Sequence, residues 1–121
     1  MFIVDDSVMV CKRLAVMLTK FADIEVVGEA HDVPEAIKSI EKAKPDVVIL
    51  DIKMPGGSGI DVVERVKKNA TVPSIIMFTN YSHPFYRMKY LAAGADFFLD
   101  KSTEFEKISS LLKQLLEDSR N

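Results

Sequence analysis

At 121 residues the chain has the length of one compact domain, able to bury a core without disulfides or metal staples. Apolar residues make up 48% and charged residues 28% at a net charge of −2, which excludes a disordered segment and offers no basic face for direct nucleic-acid binding. The single Cys11 excludes an internal disulfide and a multi-cysteine metal site, and no apolar run is long enough for a membrane span.

Short apolar runs alternate with stretches of helical period, the pattern of βα units around a parallel sheet. Met1–Val4 runs straight into two aspartates, so it is no signal peptide, and Phe2–Val4 reads as the first strand. A helix follows on the stripe Cys11, Leu14, Ala15 and Leu18, with Cys11 a small buried residue in a reduced, cytoplasmic compartment. Ile24–Ala30 is the second strand, and its interleaved Glu25, Gly28 and Glu29 place it at a sheet edge. Asp32 with Glu35 forms a capping-box variant that opens the second helix, with Pro34 in its first turn and Ala36, Ile37 and Ile40 as its stripe.

Val47–Leu50 is the third strand, and Ile60, Val63 and Val66 carry the third helix. Ser74–Phe78 is the fourth strand. Phe85, Met88, Leu91 and Ala92 are the predicted core stripe of the fourth helix, which Gly94 ends as a left-handed cap; Tyr86 and Tyr90 then face outward. Asp96–Leu99 is the fifth strand. Thr103 with Glu106 is the predicted cap of the fifth helix, whose core stripe is Ile108, Leu112 and Leu115. Its polar end, Glu117 to Asn121, suits a natural terminus or the start of a linker. Right-handed crossovers give an α/β fold, a doubly wound five-stranded parallel sheet of (βα)5 type with helices on both faces.

The residues that leave the strands carry the chemistry. The first strand ends in Asp5-Asp6, the third in Asp51, the fourth in Thr79 and the fifth in Asp100-Lys101. In a parallel sheet these all emerge at the carboxyl edge, where open α/β folds bind their ligands. Each alone has an ordinary explanation, since acids favour helix N-termini and polar residues begin loops. Their joint occurrence on four of five strands is the informative feature. Three carboxylates in a small space repel, at about 4 kcal/mol for a pair 4 Å apart in an effective dielectric of 20. An oxygen-only set of this kind suits a hard divalent ion, most simply Mg²⁺. The ion would let an anionic phosphoryl group approach, with Lys101 and Thr79 as further donors and Asp51, the central carboxylate, as nucleophile.

Over essentially all of residues 1–121, taken as one domain, these residues resemble the receiver family of two-component signalling. The resemblance rests on Asp5-Asp6, on Asp51 followed by Met54-Pro55-Gly56-Gly57-Ser58-Gly59, on Thr79, and on Lys101 after Phe97-Phe98-Leu99-Asp100. It implies a flavodoxin-like sheet with strand order 2-1-3-4-5, counting the five sheet strands along the chain. It implies that Asp6, Asp51 and the Lys53 backbone carbonyl ligate Mg²⁺, with Asp5 acting through water. Asp51 would accept a phosphoryl group from a phosphohistidine on a sensor histidine kinase or phosphotransfer protein, and Thr79 and Lys101 would bind its oxygens. Thr79 and Phe98 would carry the switch, although Phe98 also reads as an ordinary core aromatic. The surface of the fourth helix, fifth strand and fifth helix, Tyr86 and Tyr90 included, would meet a downstream protein or an output domain. The chain would then be a cytoplasmic signalling switch and not a metabolic enzyme, with no membrane partner.

Some positions depart from the commonest family pattern. Asn80 follows Thr79 where a small residue is usual, and Phe98 replaces a frequent Tyr. Lys53 and Tyr81 occupy places that resemble rate-tuning sites. Ser102 follows Lys101 where proline is frequent, and a non-prolyl cis bond costs about 2.5–4 kcal/mol, so the isomer of that peptide is open. Three other readings compete. A flavodoxin-like cofactor binder would want a glycine- and hydroxyl-rich loop in place of Asp5-Asp6-Ser7. An aspartyl-phosphate hydrolase would carry an acid where Lys53 stands. A receiver relative that is never phosphorylated would act only as an interaction module.

Overall fold

The computed structural model describes residues 1–120; Asn121, the last residue of the polar tail, lies outside them. Among the described residues seven strands and five helices follow one another. The first units are β1 (Phe2–Val4), α1 (Val8–Leu18), β2 (Gly28–Ala30), α2 (Val33–Ala43) and β3 (Val47–Leu50). A short hairpin, β4 (Lys53–Met54) and β5 (Gly57–Ser58), precedes α3 (Gly59–Val66). The chain continues through β6 (Ser74–Thr79), α4 (Pro84–Ala93), β7 (Phe97–Asp100) and α5 (Lys107–Arg120). Five strands pair in parallel in the order β2-β1-β3-β6-β7, which is the expected order 2-1-3-4-5 of the sheet strands.

Strand side chains alternate between faces, so each short apolar run feeds two cores. Phe2, Val4, Val48, Leu50, Ile75 and Met77 pack under α2 and α3, with Tyr90 from α4 in the same cluster. Ile3, Ile49, Ile76 and Phe78 pack with Cys11, Leu14 and Leu18 of α1 and with Ile108 and Leu112 of α5. The start of α2 and the end of α4 follow the local signals read above, and α1 has a side-chain cap of its own. The Ser7 hydroxyl accepts from Val10 N–H at the start of α1, and the Asp32 carboxylate accepts from Glu35 N–H at 2.8 Å before α2. Gly94 ends α4 in the left-handed region at φ 119°.

Three expectations are corrected, and one element is new. The second strand covers only Gly28–Ala30 of the Ile24–Ala30 run. Ile24 N–H bonds back to Phe21 in a turn, and Val26 and Val27 lie exposed at the edge of the sheet. The face of α4 is reversed. Phe85 and Met88 are 61% and 72% exposed and Leu91 is also exposed, whereas Tyr90 is buried at 2% and Tyr86 is half-buried against the core. Both candidate stripes have helical spacing, and Tyr90 wins because its ring fills the space beside Phe98, with ring centroids 6.5 Å apart. Its hydroxyl finds partners at Ser58 and the Ile60 backbone. The fifth helix begins at Lys107, beyond the predicted Thr103 and Glu106 cap. Residues 101–106 instead form turns in which the Glu104 carboxylate accepts from Asp100 N–H at 3.0 Å and pairs with Lys107. The β4–β5 hairpin was not anticipated; its tight turn uses Gly56 at φ 82°.

Candidate functional site

The parallel ladder carries the predicted residues to one edge. Asp5 N–H bonds to Ala30 O beyond β1, Asp51 N–H to Val4 O beyond β3, and Lys101 N–H to Thr79 O beyond β7. Asp51 is further held by α3, whose first residue donates from Gly59 N–H to Ile52 O at 2.6 Å. A Cβ at Gly59 would lie 2.5 Å from the Asp51 carbonyl oxygen, so only glycine permits this approach.

Carboxylate oxygens of Asp5, Asp6 and Asp51 lie within 4.8 Å of one another. Asp5 and Asp51 are buried, and Asp6 opens the cluster to solvent. The Lys101 ammonium reaches both buried acids, 2.6 Å from Asp5 Oδ2 and 2.8 Å from Asp51 Oδ2. The second oxygens are also used: Asp5 Oδ1 accepts from Ser7 N–H at 2.9 Å, and Asp51 Oδ1 from Ile52 N–H at 2.7 Å. One ammonium against three carboxylates leaves an excess of negative charge in a partly dry pocket. Burial therefore raises the Asp5 carboxyl, with Asp51 adding to it and the Lys101 and Ser7 hydrogen bonds opposing it. For Lys101, burial works to lower the ammonium, but the bonds and charges of Asp5 and Asp51 outweigh it and the net shift is upward.

Thr79 is fully buried, and its Oγ1 accepts from Tyr81 N–H at 3.1 Å, which leaves the hydroxyl hydrogen available as a donor. The Lys53 ammonium lies over the Tyr81 ring, 4.7 Å from its centroid, so the two positions flagged for rate tuning touch each other. Phe98 is buried against Tyr90, and its carbonyl accepts from Arg87 at 3.0 Å. Asp100 stands apart from the cluster. Its carboxylate accepts from Ser102 N–H and Oγ, and these bonds, the Ser102 hydroxyl first, pull its pKa down. No peptide bond among the described residues is cis, so Lys101–Ser102 is trans. Sequence reasoning missed Ser7, Ile52 and Gly59 as supports of the acids; only the glycine left a trace, as the last of the small residues after Asp51.

The response regulator receiver domain family matches residues 1–113. The chain belongs to this family. As a receiver domain of two-component systems it is a signalling switch, of a family that typically uses Mg²⁺ at an acidic pocket and that interacts with histidine kinases or phosphotransfer proteins and with output domains. It is 32% identical to the uncharacterized transcriptional regulatory protein YvfU of Bacillus subtilis, over 99% of this chain and 60% of that protein. It is 36% identical to protein-glutamate methylesterase/protein-glutamine glutaminase 1 of Carboxydothermus hydrogenoformans, over 97% of this chain and 35% of that protein. The receiver thus spans less than two thirds of the length of either relative. A CheY-like receiver domain from Methanospirillum hungatei superposes with a TM-score of 0.85 at 26% identity, covering 98% of this chain and 94% of that one. Among the described residues no helix is long and apolar enough to cross a membrane.

Proposed function

We propose that this receiver accepts a phosphoryl group onto Asp51 from a phosphohistidine of a sensor histidine kinase or phosphotransfer protein. The observation that carries the reading is the Lys101 ammonium bonded at once to Asp5 and Asp51, within a cluster that Asp6 completes. The donor set is oxygen-only and open on the Asp6 side, which fits Mg²⁺. Asp6, Asp51 and the Lys53 carbonyl would hold the ion directly and Asp5 through water. Bound there, Mg²⁺ supplies positive charge to the phosphoryl oxygens.

The residues of the chain do the remaining work. A carboxylate oxygen of Asp51 forms an O–P bond as the N–P bond of the phosphohistidine breaks, and the electron pair returns to the imidazole. Lys101 releases Asp51 and donates to a phosphoryl oxygen, and the Thr79 hydroxyl donates to another. Thr79 and Phe98 carry the switch to α4, since Phe98 packs on Tyr90 of that helix. The output surface is the face of α4, β7 and α5, with Phe85, Met88 and Leu91 as its exposed apolar patch in place of the tyrosines. A downstream protein or an output domain docks there.

Incubation with Mg²⁺ and acetyl phosphate followed by intact-mass measurement tests the reading. The expected result is one added phosphoryl group, absent in Asp51→Asn and after chelation of the metal. A wild-type chain that stays unmodified would sink the proposal.

A further inference from the structure

A second group of ligand-type side chains converges on the α1 side of the sheet edge. Cys11 Sγ from α1, a Glu29 carboxylate oxygen from β2 and His31 Nε2 just beyond β2 lie within 4.8 Å of one another. Register explains the meeting: Glu29 pairs with Ile3, so its side chain shares the sheet face that α1 covers. One feature of the group is not that of a settled core. His31 Nε2 is buried with no hydrogen-bond partner, and the Glu29 oxygen, at 3.8 Å, is too far to serve as one. Cys11 is fully buried with the Glu29 carboxylate near its Sγ, and a cation between them would let the sulfur bind as a thiolate.

We propose that Cys11, Glu29 and His31 form a binding site for a borderline transition-metal ion, Zn²⁺ in the first instance, separate from the acidic pocket at Asp51. The donor set decides the class. Sulfur and imidazole nitrogen select Zn²⁺ over Mg²⁺, which takes oxygen ligands. Tetrahedral bonds of about 2.0–2.3 Å put neighbouring ligand atoms roughly 3.3–3.8 Å apart, so atoms that lie within 4.8 Å of one another would draw in by at most about 1.5 Å. Three protein ligands leave the fourth position to water from the exposed side, where Glu29 and His31 are 47% and 36% accessible. Binding replaces the Cys11 S–H bond with an S–Zn bond and releases that proton to solvent, while Nε2 contributes its lone pair. A thiolate, a carboxylate and a divalent ion together carry no net charge, which suits a buried site. Ligation also ends the contact from Cys11 Sγ to the Asp5 carbonyl at 3.7 Å, so the ion acts directly on the loop that carries the acidic pair.

Cobalt reports the site because thiolate ligation to Co²⁺ absorbs. The full chain, freed of metal and held in saturating Mg²⁺ to fill the acidic pocket, is titrated with Co²⁺. One equivalent should bind with a thiolate-to-cobalt charge-transfer band, and Zn²⁺ should abolish the band by displacement. His31→Gln and Glu29→Gln lie at accessible positions and should keep the fold by circular dichroism, yet each should weaken binding by more than about tenfold. Cys11→Ser should remove the band. The proposal fails if no charge-transfer band develops, or if His31→Gln binds Co²⁺ as tightly as the wild type. It fails equally if Co²⁺ uptake is suppressed by Mg²⁺ and lost in Asp51→Asn, since the ion would then occupy the acidic pocket alone.

Discussion

Lys101 joins the stability of the site to its chemistry. Its ammonium offsets the repulsion between two buried carboxylates, and in the proposed reaction it would turn to donate to a phosphoryl oxygen. Removing one partner of a fully buried pair costs about 3–5 kcal/mol, but Lys101 is 12% exposed and Asp6 opens the pocket to water, so a smaller loss is expected. Lys101→Met should lower the stability of the metal-free chain by about 1–2 kcal/mol in urea melts. It should also slow phosphorylation by acetyl phosphate about a hundredfold, the usual cost of one lost charge-stabilising donor. An undiminished rate would remove Lys101 from the phosphoryl site. Gly59 acts through the backbone of Asp51. Gly59→Ala forces a methyl group against the Asp51 carbonyl, and a loss of about 1–3 kcal/mol with slower phosphorylation is the expected outcome. Stability equal to wild type in the same melts would show that the loop yields.

At the scale of elements, α4 is where physics overrode periodicity. The stripe Phe85, Met88 and Leu91 is the more apolar, yet it faces solvent, and the amphipathic Tyr90 turns inward. A large ring with a polar tip fits a pocket that is apolar beside Phe98 and polar at Ser58. Tyr90→Ala should therefore cost about 3–5 kcal/mol, while Met88→Lys should stay within about 0.5 kcal/mol of wild type; comparable losses would restore the opposite face. The phenol of Tyr90 also gives a pH signature. Burial raises it above its ordinary value of 10.0, with Ser58 and Ile60 opposing, so the folded chain holds this proton more tightly than the unfolded one. Stability should fall as pH rises past 10.0 toward the raised folded value, and Tyr90→Phe should remove that contribution in melts taken from pH 9 to 11.

For the whole molecule, the acidic edge is a local conflict held in place by the rest of the fold, as functional sites commonly are. Ion binding to the folded state alone stabilises by about 2.7 kcal/mol at a hundred times the dissociation constant. Mg²⁺ should thus raise the melting temperature of the wild type. Asp6→Asn should raise it in the absence of metal, by removing one of three repelling charges, and should abolish the response to Mg²⁺. A Mg²⁺ shift that survives this substitution would place the ion elsewhere. The sheet and the position of Asp5, Asp6, Asp51, Thr79 and Lys101 at its edge were readable because they follow from local pattern. In short parallel strands the apolar run sets where the strand ends, and the next residue must emerge at the carboxyl side. Three things depended on distances between segments remote in sequence: the inward turn of Tyr90, the double pairing of Lys101, and the meeting of Cys11 with Glu29 and His31. Periodicity proposes which faces of a helix can be buried; only packing against the sheet, with every buried polar atom seeking a partner, selects one.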